Sequence, residues 1–272
     1  MIWDEPLKKP GANISVIPYL TAGMNRDFED PEQTTPNWPR NAGADAKIAL
    51  TSGLNLDLTV NPDFSQVEVD QQVTDLSRFE LFFPERRQFF LENADLFGSF
   101  GLTRVNPFFS RRIGVARDTA TGQNIQNPIL FGARLSGKLN ENLRVGLLNM
   151  QTAKEEENGL PSFNYTVATL QQKVFDRSNV SFIFVNKQRL GMRENELYTP
   201  YNRVLGIDYN LASADGRWSG KTYFHQAITP EDTTNQKWAH GMNLIYNTRH
   251  FGFNWKHAYI NEGYNAEVGF IR

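Results

Sequence analysis

An all-β fold, an antiparallel up-and-down transmembrane β-barrel, is what three features of this 272-residue chain predict. From about Asn127 to Arg272, stretches of roughly ten to twelve residues alternate apolar and polar side chains, the length that tilted membrane strands need. Short polar turns, Asn140-Glu141-Asn142, Asp176-Arg177-Ser178-Asn179, Ala214-Asp215-Gly216-Arg217 and Asn247-Thr248-Arg249, alternate with longer connections near 153–163, 189–202 and 229–237. Aromatics reach 12% while mean hydropathy is only -0.50, a ratio expected when lipid-facing rings are offset by a polar lumen on alternate residues.

The strands follow from their period of two. In the first clear stretch Leu54, Leu56, Leu58 and Val60 share one face, and Asn55, Asp57, Thr59 and Asn61 the other. In Ile129–Leu139 the apolar positions Ile129, Phe131, Ala133 and Leu135 oppose Arg134, Ser136 and Lys138. Leu205, Ile207, Tyr209 and Leu211 alternate with Gly206, Asp208 and Asn210, and Phe251, Phe253, Trp255 and Tyr259 with Gly252, Asn254, Lys256 and Ala258. In Leu143–Gln151 and Val180–Asn186 both faces are apolar, so these two strands are expected to be covered on two sides. A soluble β-sandwich binding module would show the same stripes with shorter strands, about five to six residues each.

Residues 61–114 break the rhythm. Between Phe79 and Phe109 lie seven further Phe, interleaved with Arg86, Arg87, Glu80, Glu85, Glu92 and Asp95 and followed directly by Arg111 and Arg112. This reads as an irregular charged and aromatic segment packed inside or beneath the barrel, its arginines paired bidentately with those carboxylates. The whole chain, 1–272, is then part of one β-barrel domain, with the irregular segment at 61–114 and regular hairpins over 127–272.

The strings NPDFSQVEVD, RFELFFPERRQFFLENADLF and FFSRRIG, with the opening ISVIPY and the ending YNAEVGF, resemble the signature of the DUF5916 family, found mostly in Bacteroidetes. The resemblance covers nearly the whole chain. It implies the start of an outer-membrane barrel region, commonly preceded by a domain similar to family 9 carbohydrate-binding modules, and it supplies no catalytic residues. That carbohydrate-binding-like domain is not in this sequence. A barrel is expected to continue past Arg272 and to end on an aromatic residue, so the chain reads as a truncated barrel of about ten or eleven strands. The export signal is expected upstream of Met1.

Other chemistry is weakly supported. No apolar run approaches a membrane helix, and a formal net charge of -2 gives no electrostatic reason to expect nucleic acid. The absent cysteine excludes thiol nucleophiles. Ser65, Ser77 and Ser110 lack a nucleophile elbow, and Gly98-Ser99-Phe100-Gly101 is no phosphate loop. His225, His240, His250 and His257 stand singly, so neither a metal nor a cofactor is expected. Asp63, Glu68 and Asp70 match no calcium loop. Glu80, Glu85 and Glu92 are the only candidates for a glycosidase carboxylate pair, and the adjacent arginines favour structural pairing instead.

The expected function is passage or handling of a solute, a glycan above all, by an outer-membrane protein in contact with membrane lipid, with or without an envelope protein partner. Arg86, Arg87, Arg111, Arg112, Arg134 and Lys138 would present positive charge to an oxygen-rich ligand in the lumen, or else be consumed by internal pairing. The alternative is that the chain anchors, or is the catalytic part of, a glycan-active hydrolase. Trp38, Trp218, Trp238 and Trp255 fit either sugar stacking or an interfacial girdle.

Overall fold

A computed structural model describes residues 13–24, 26, 35–36, 38, 40–62, 84–102, 105–117, 124–155, 159–191, 198–230 and 236–271. In chain order the elements are β1 (Ile14–Ala22), β2 (Arg40–Ala49), β3 (Leu54–Val60), two short helices α1 (Gln88–Leu91) and α2 (Ala94–Gly98), β4 (Val105–Asn106), a 3₁₀ turn (Ser110–Arg112), β5 (Val115–Arg117) and β6 (Asn124–Gln126). Then come β7 (Ile129–Lys138), β8 (Leu143–Thr152), β9 (Ser162–Val174), β10 (Ser178–Leu190), β11 (Tyr201–Ala212), β12 (Trp218–Ile228), β13 (Trp238–Asn247), β14 (Gly252–Ile260) and β15 (Phe270–Ile271).

Eleven strands form one antiparallel sheet in the order β1-β2-β3-β7-β8-β9-β10-β11-β12-β13-β14. Every neighbouring pair is sequential except β3 and β7, which pair across the 61–128 connection from Leu54↔Gly137 to Val60↔Phe131. The sheet is open among the described residues, because β1 and β14 are its two edges and do not pair with each other. The all-β, antiparallel expectation therefore holds. Two small two-stranded sheets, β15-β4 and β5-β6, stand apart from the large one.

The turns sort by length to opposite ends of the sheet. Residues 50–53, 139–142, 175–177, 213–217 and 248–251 close one end, and the connections at 23–39, 61–128, 153–161, 191–200 and 229–237 leave from the other. Local chemistry sets the short turns. Asn140 accepts from the backbone of Asn142 and Leu143 at 2.9 Å each, and Asp215 accepts from the Arg217 N–H at 3.1 Å, both Asx-type closures.

The two faces differ. On the face that carries Asp57, Arg134, Ser136, Leu148, Met150, Tyr165, Val167, Ile183, Val185, Val204, Asp208, Tyr223 and His225, all are buried. They are buried by the segment 84–116 and by the tail that follows β14: Phe90, Leu96, Phe97, Phe100, Val105, Phe108, Ile113, Tyr264, Ala266 and Val268 share a single apolar core with the sheet. Gly146 makes that fit possible at α2, since a Cβ there would lie 2.7 Å from the Phe97 ring. The opposite face is bare: Leu147, Leu170, Phe182, Leu205, Ile207, Phe224, Phe253 and Trp255 are all exposed. No second sheet covers it among the described residues.

The two doubly apolar strands are covered on one face only. β8 and β10 were expected to be covered on both sides, yet only Leu148, Met150, Ile183 and Val185 are buried, while Leu147 and Phe182 on the other face are exposed. The inner residues are apolar because the inserted segment packs on them. Outward apolar residues need a different explanation.

Candidate functional site

Two sets of side chains on the covered face carry the chemistry. The first pins the segment that packs on this face to the sheet. Arg134 donates from Nε and Nη2 to Asp57 Oδ2 at 3.1 and 2.8 Å, both residues buried, and its guanidinium lies 5.1 Å from the Phe89 ring. Register makes this pair directly, since Asp57 and Arg134 face each other across β3 and β7. Lys47 and Asn55 hold Glu92, Arg144 holds Asp95 at 2.7 and 3.1 Å, and Asn93 donates to Ser136 at 3.0 Å. Lys187 and Thr199 hold Glu267 of the tail at 2.8 and 2.6 Å, and Asn202 donates to the Asn265 carbonyl.

The deepest pin is at Asp208. Its carboxylate accepts from the Gly101 N–H at 2.7 Å, meets His225 Nε2 at 2.9 Å and lies 3.5 Å from Lys221 Nζ. Gly101 has φ +68, a left-handed conformation that glycine adopts freely and that turns its N–H onto the carboxylate. Asp208 and His225 are both fully buried, and among the described residues His225 Nδ1, Tyr223 Oη and Tyr264 Oη have no hydrogen-bond partner.

Within the segment, Arg87 is a hub. It donates to both oxygens of Glu85 at 2.8 and 2.7 Å and to the Ile113 and Ser110 carbonyls at 2.7 and 2.6 Å, and it covers the Phe90 ring at 4.2 Å. Burial pushes the Glu85 carboxyl up, but the hydrogen bonds and charge of Arg87, with the Ser110 hydroxyl, outweigh it and hold the group below the ordinary carboxylate value. Glu92 is lowered chiefly by its bond to Lys47, and Asp95 chiefly by its bond to Arg144.

The second set is a polar row across the short-turn end of the same face. Register aligns Lys138 with Arg144, Arg144 with Gln171 and Gln171 with Ser181. The row shifts two residues along β10 to Asn179 and continues through Asn210, Lys221, Asn243 and Lys256. It thus spans eight strands. Side-chain hydrogen bonds link its first half: Arg144 to Gln171 at 3.0 Å, Gln171 to Ser181 at 3.4 Å, Ser181 to Asn179 at 3.1 Å and Asn210 to Asn179 at 2.7 Å. Lys138 and Lys256 are exposed and have no ion-pair partner among the described residues, and the buried Asn243 Oδ1 has no donor.

The predicted residues separate accordingly. Lys138 joins the polar row. Arg87 and Arg134 are internally paired, Arg111 donates to the Pro84 carbonyl at 3.0 Å, Arg112 donates to the Gly269 carbonyl at 3.2 Å, and Arg86 is exposed. Glu85 and Glu92 have their carboxylates engaged by Arg87 and Lys47. Glu80, Asp63, Glu68, Asp70, Ser65 and Ser77 lie outside the described residues. Among the described residues no three metal-ligating side chains cluster. Sequence reasoning missed Lys47, Arg144, Lys221, Lys256 and the Asp208–His225 pair. Their signal was present as charge on the polar side of each alternating strand, but nothing in the sequence joined one strand to the next.

A family model described as Domain of unknown function (DUF5916) matches residues 10–271. No curated protein and no solved structure matches the chain.

Proposed function

The chain belongs to the DUF5916 family, and from its geometry we propose that it is the wall and inner filling of a bacterial outer-membrane β-barrel that handles an oxygen-rich solute, a glycan, at the cell surface. The observation that carries the membrane reading is the bare apolar face. Leu205 and Ile207 are 47% and 42% exposed in the centre of β11, a cost in water that hydrocarbon removes. Aromatic residues mark both borders of this face: Trp218 with Tyr246 near the short turns, and Trp238 with Phe224, His240 and Tyr259 near the long connections. From Trp218 to Gln226, the register partner of Trp238, is eight residues, about 26 Å along the strand. After a tilt of about 40° that is roughly 20 Å, close to the roughly 25 Å apolar band of such barrels. In this reading short turns face the periplasm and long connections face outward. Backbone groups on β1 and β14 need ladder partners in hydrocarbon.

The solute reading rests on the polar row. Amides of Gln171, Asn179, Asn210 and Asn243 offer donors and acceptors together, and Lys138 and Lys256 add uncompensated positive charge at its two ends. A ligand rich in hydroxyl and carboxylate oxygen matches that set. The 84–116 segment, seated over the other half of the face, closes the way beyond.

Fractionation of the full chain expressed with an export signal tests the membrane half: it sediments with outer membranes and resists urea extraction, whereas monodisperse behaviour in detergent-free buffer overturns the reading. Calorimetric titration of the detergent-purified chain tests the other half. A uronic-acid oligosaccharide binds, and K138A/K256A weakens it by roughly tenfold, about two exposed charge contacts. Equal binding by wild type and variant, or no heat at all, removes the row from solute handling.

A further inference from the structure

The bare face carries an apolar concavity. Ala168, Leu170, Phe182, Phe184, Leu205 and Ile207, with Phe224 at its side, bound an apolar groove of about 390 Å³. It forms because Ala168 stands in register with Phe184, so a small side chain leaves the space between larger neighbours unfilled. Directly beyond its end toward the long connections, the surface changes character. Two residues on from Phe184 is Asn186, and two residues before Leu205 is Arg203, roughly 7 Å along each strand.

Arg203 is held but not neutralised. Its Nε donates to Asn186 Oδ1 at 3.0 Å, its Nη2 reaches Gln188 Oε1 at 3.4 Å, and its guanidinium lies over the Tyr201 ring at 4.5 Å. These partners are neutral, and among the described residues no carboxylate lies within ion-pair distance of it. A guanidinium oriented by two amides and an aromatic ring, with its charge unbalanced, is a prepared receptor for a phosphate. An apolar groove beneath it accepts hydrocarbon.

We propose that this groove and Arg203 form a binding site for a phosphate-headgroup lipid, with one acyl chain lying along Ala168 and its phosphate on the Arg203 guanidinium. The inference rests on the membrane reading above and adds a specific lipid contact to it. Juxtaposition decides the occupant: a soluble anion has no use for the groove, and a neutral lipid none for the unbalanced charge. The same contact fixes the depth of the wall, because a headgroup phosphate on Arg203 sets the bilayer border at Asn186, Gln188 and Tyr201, outside the apolar rows.

The full chain is inserted into vesicles of phosphatidylcholine doped with phosphatidylglycerol, extracted in neutral detergent, and the retained lipids are counted by native mass spectrometry. Insertion is read separately by protease protection of the strands. Wild type retains phosphatidylglycerol over phosphatidylcholine. R203Q inserts equally well and loses that preference by roughly fivefold, the effect of one basic residue at a membrane surface. R203K restores most of it, and Ala168→Trp, which fills the groove, abolishes retention of both lipids. Equal retention by wild type, R203Q and Ala168→Trp, all inserted, overturns the site and leaves the membrane reading standing. Failure of wild type to insert overturns both.

Discussion

Ile207 and Asp208 are consecutive in β11, yet one is 42% exposed and carries no polar atom in its side chain, while the other is fully buried and holds a backbone N–H, a histidine and a lysine. The contrast in burial, though not in polarity, runs through Leu147 and Leu148 and through Phe182 and Ile183. It shows that burial and polarity are uncoupled on this sheet: the covered face hides charges in pairs, and the bare face displays apolar rows.

The sharpest test of the covered face is Asp208→Ala. It removes the acceptor shared by Gly101, His225 and Lys221 and is expected to cost about 3–5 kcal/mol, the range for breaking a buried ionic pair. Urea unfolding of vesicle-inserted protein measures it, and a loss near zero would mean the segment is not anchored there. On the bare face, Ile207→Arg is expected to cost about 2–4 kcal/mol in a bilayer and almost nothing in water, because the penalty comes from hydrocarbon. Equal stability in both media would break the comparison at its root. Gly146→Ala drives a methyl group against Phe97 and Thr169 and is expected to cost about 1–3 kcal/mol.

Acid gives a smaller, graded effect. Glu85, Glu92 and Asp95 all have lowered carboxyl values, so their contribution to seating the segment is full above the ordinary carboxylate range. It declines as pH falls below about 4.5 and through the depressed values, since the unfolded chain then takes up protons first. Hydrogen exchange at about pH 6 and about pH 3 is expected to show residues 84–116 loosening before β9 to β12, and loosening on the alkaline side would reverse the sign. The smallest effect belongs to Asp215→Ala in an exposed turn, where the unfolding midpoint stays unchanged.

Much of the wall was legible from residues alone. The period of two in Leu54–Val60 and Leu205–Leu211 fixes which side chains share a face, because that geometry belongs to the extended backbone itself. Length was legible for the same reason: β7 to β13 run 10 to 13 residues. Partner choice was not. Arg87 does take Glu85, two residues away, but Glu92 turns to Lys47 and Asp95 to Arg144, both on wall strands far along the chain. Such pairs depend on how distant strands register, and the bulge between Ile129 and Phe131 shifts one of those registers without a sequence mark. His225 looked solitary for that reason too, since Asp208 reaches it only through the β11–β12 ladder.

The β3–β7 ladder sets an order of assembly. From β7 to β14 each strand joins the next through a short or moderate loop, so this meander zips with little loss of chain freedom at each step. Asp57 meets Arg134 only after 77 residues have been looped out, with the aromatic segment inside that loop. The hairpins from β7 onward are expected to form first and to offer the surface on which Phe90, Phe97 and Phe108 condense. β1 to β3 are expected to dock last, through the β3–β7 ladder, closing the loop that carries the aromatic segment.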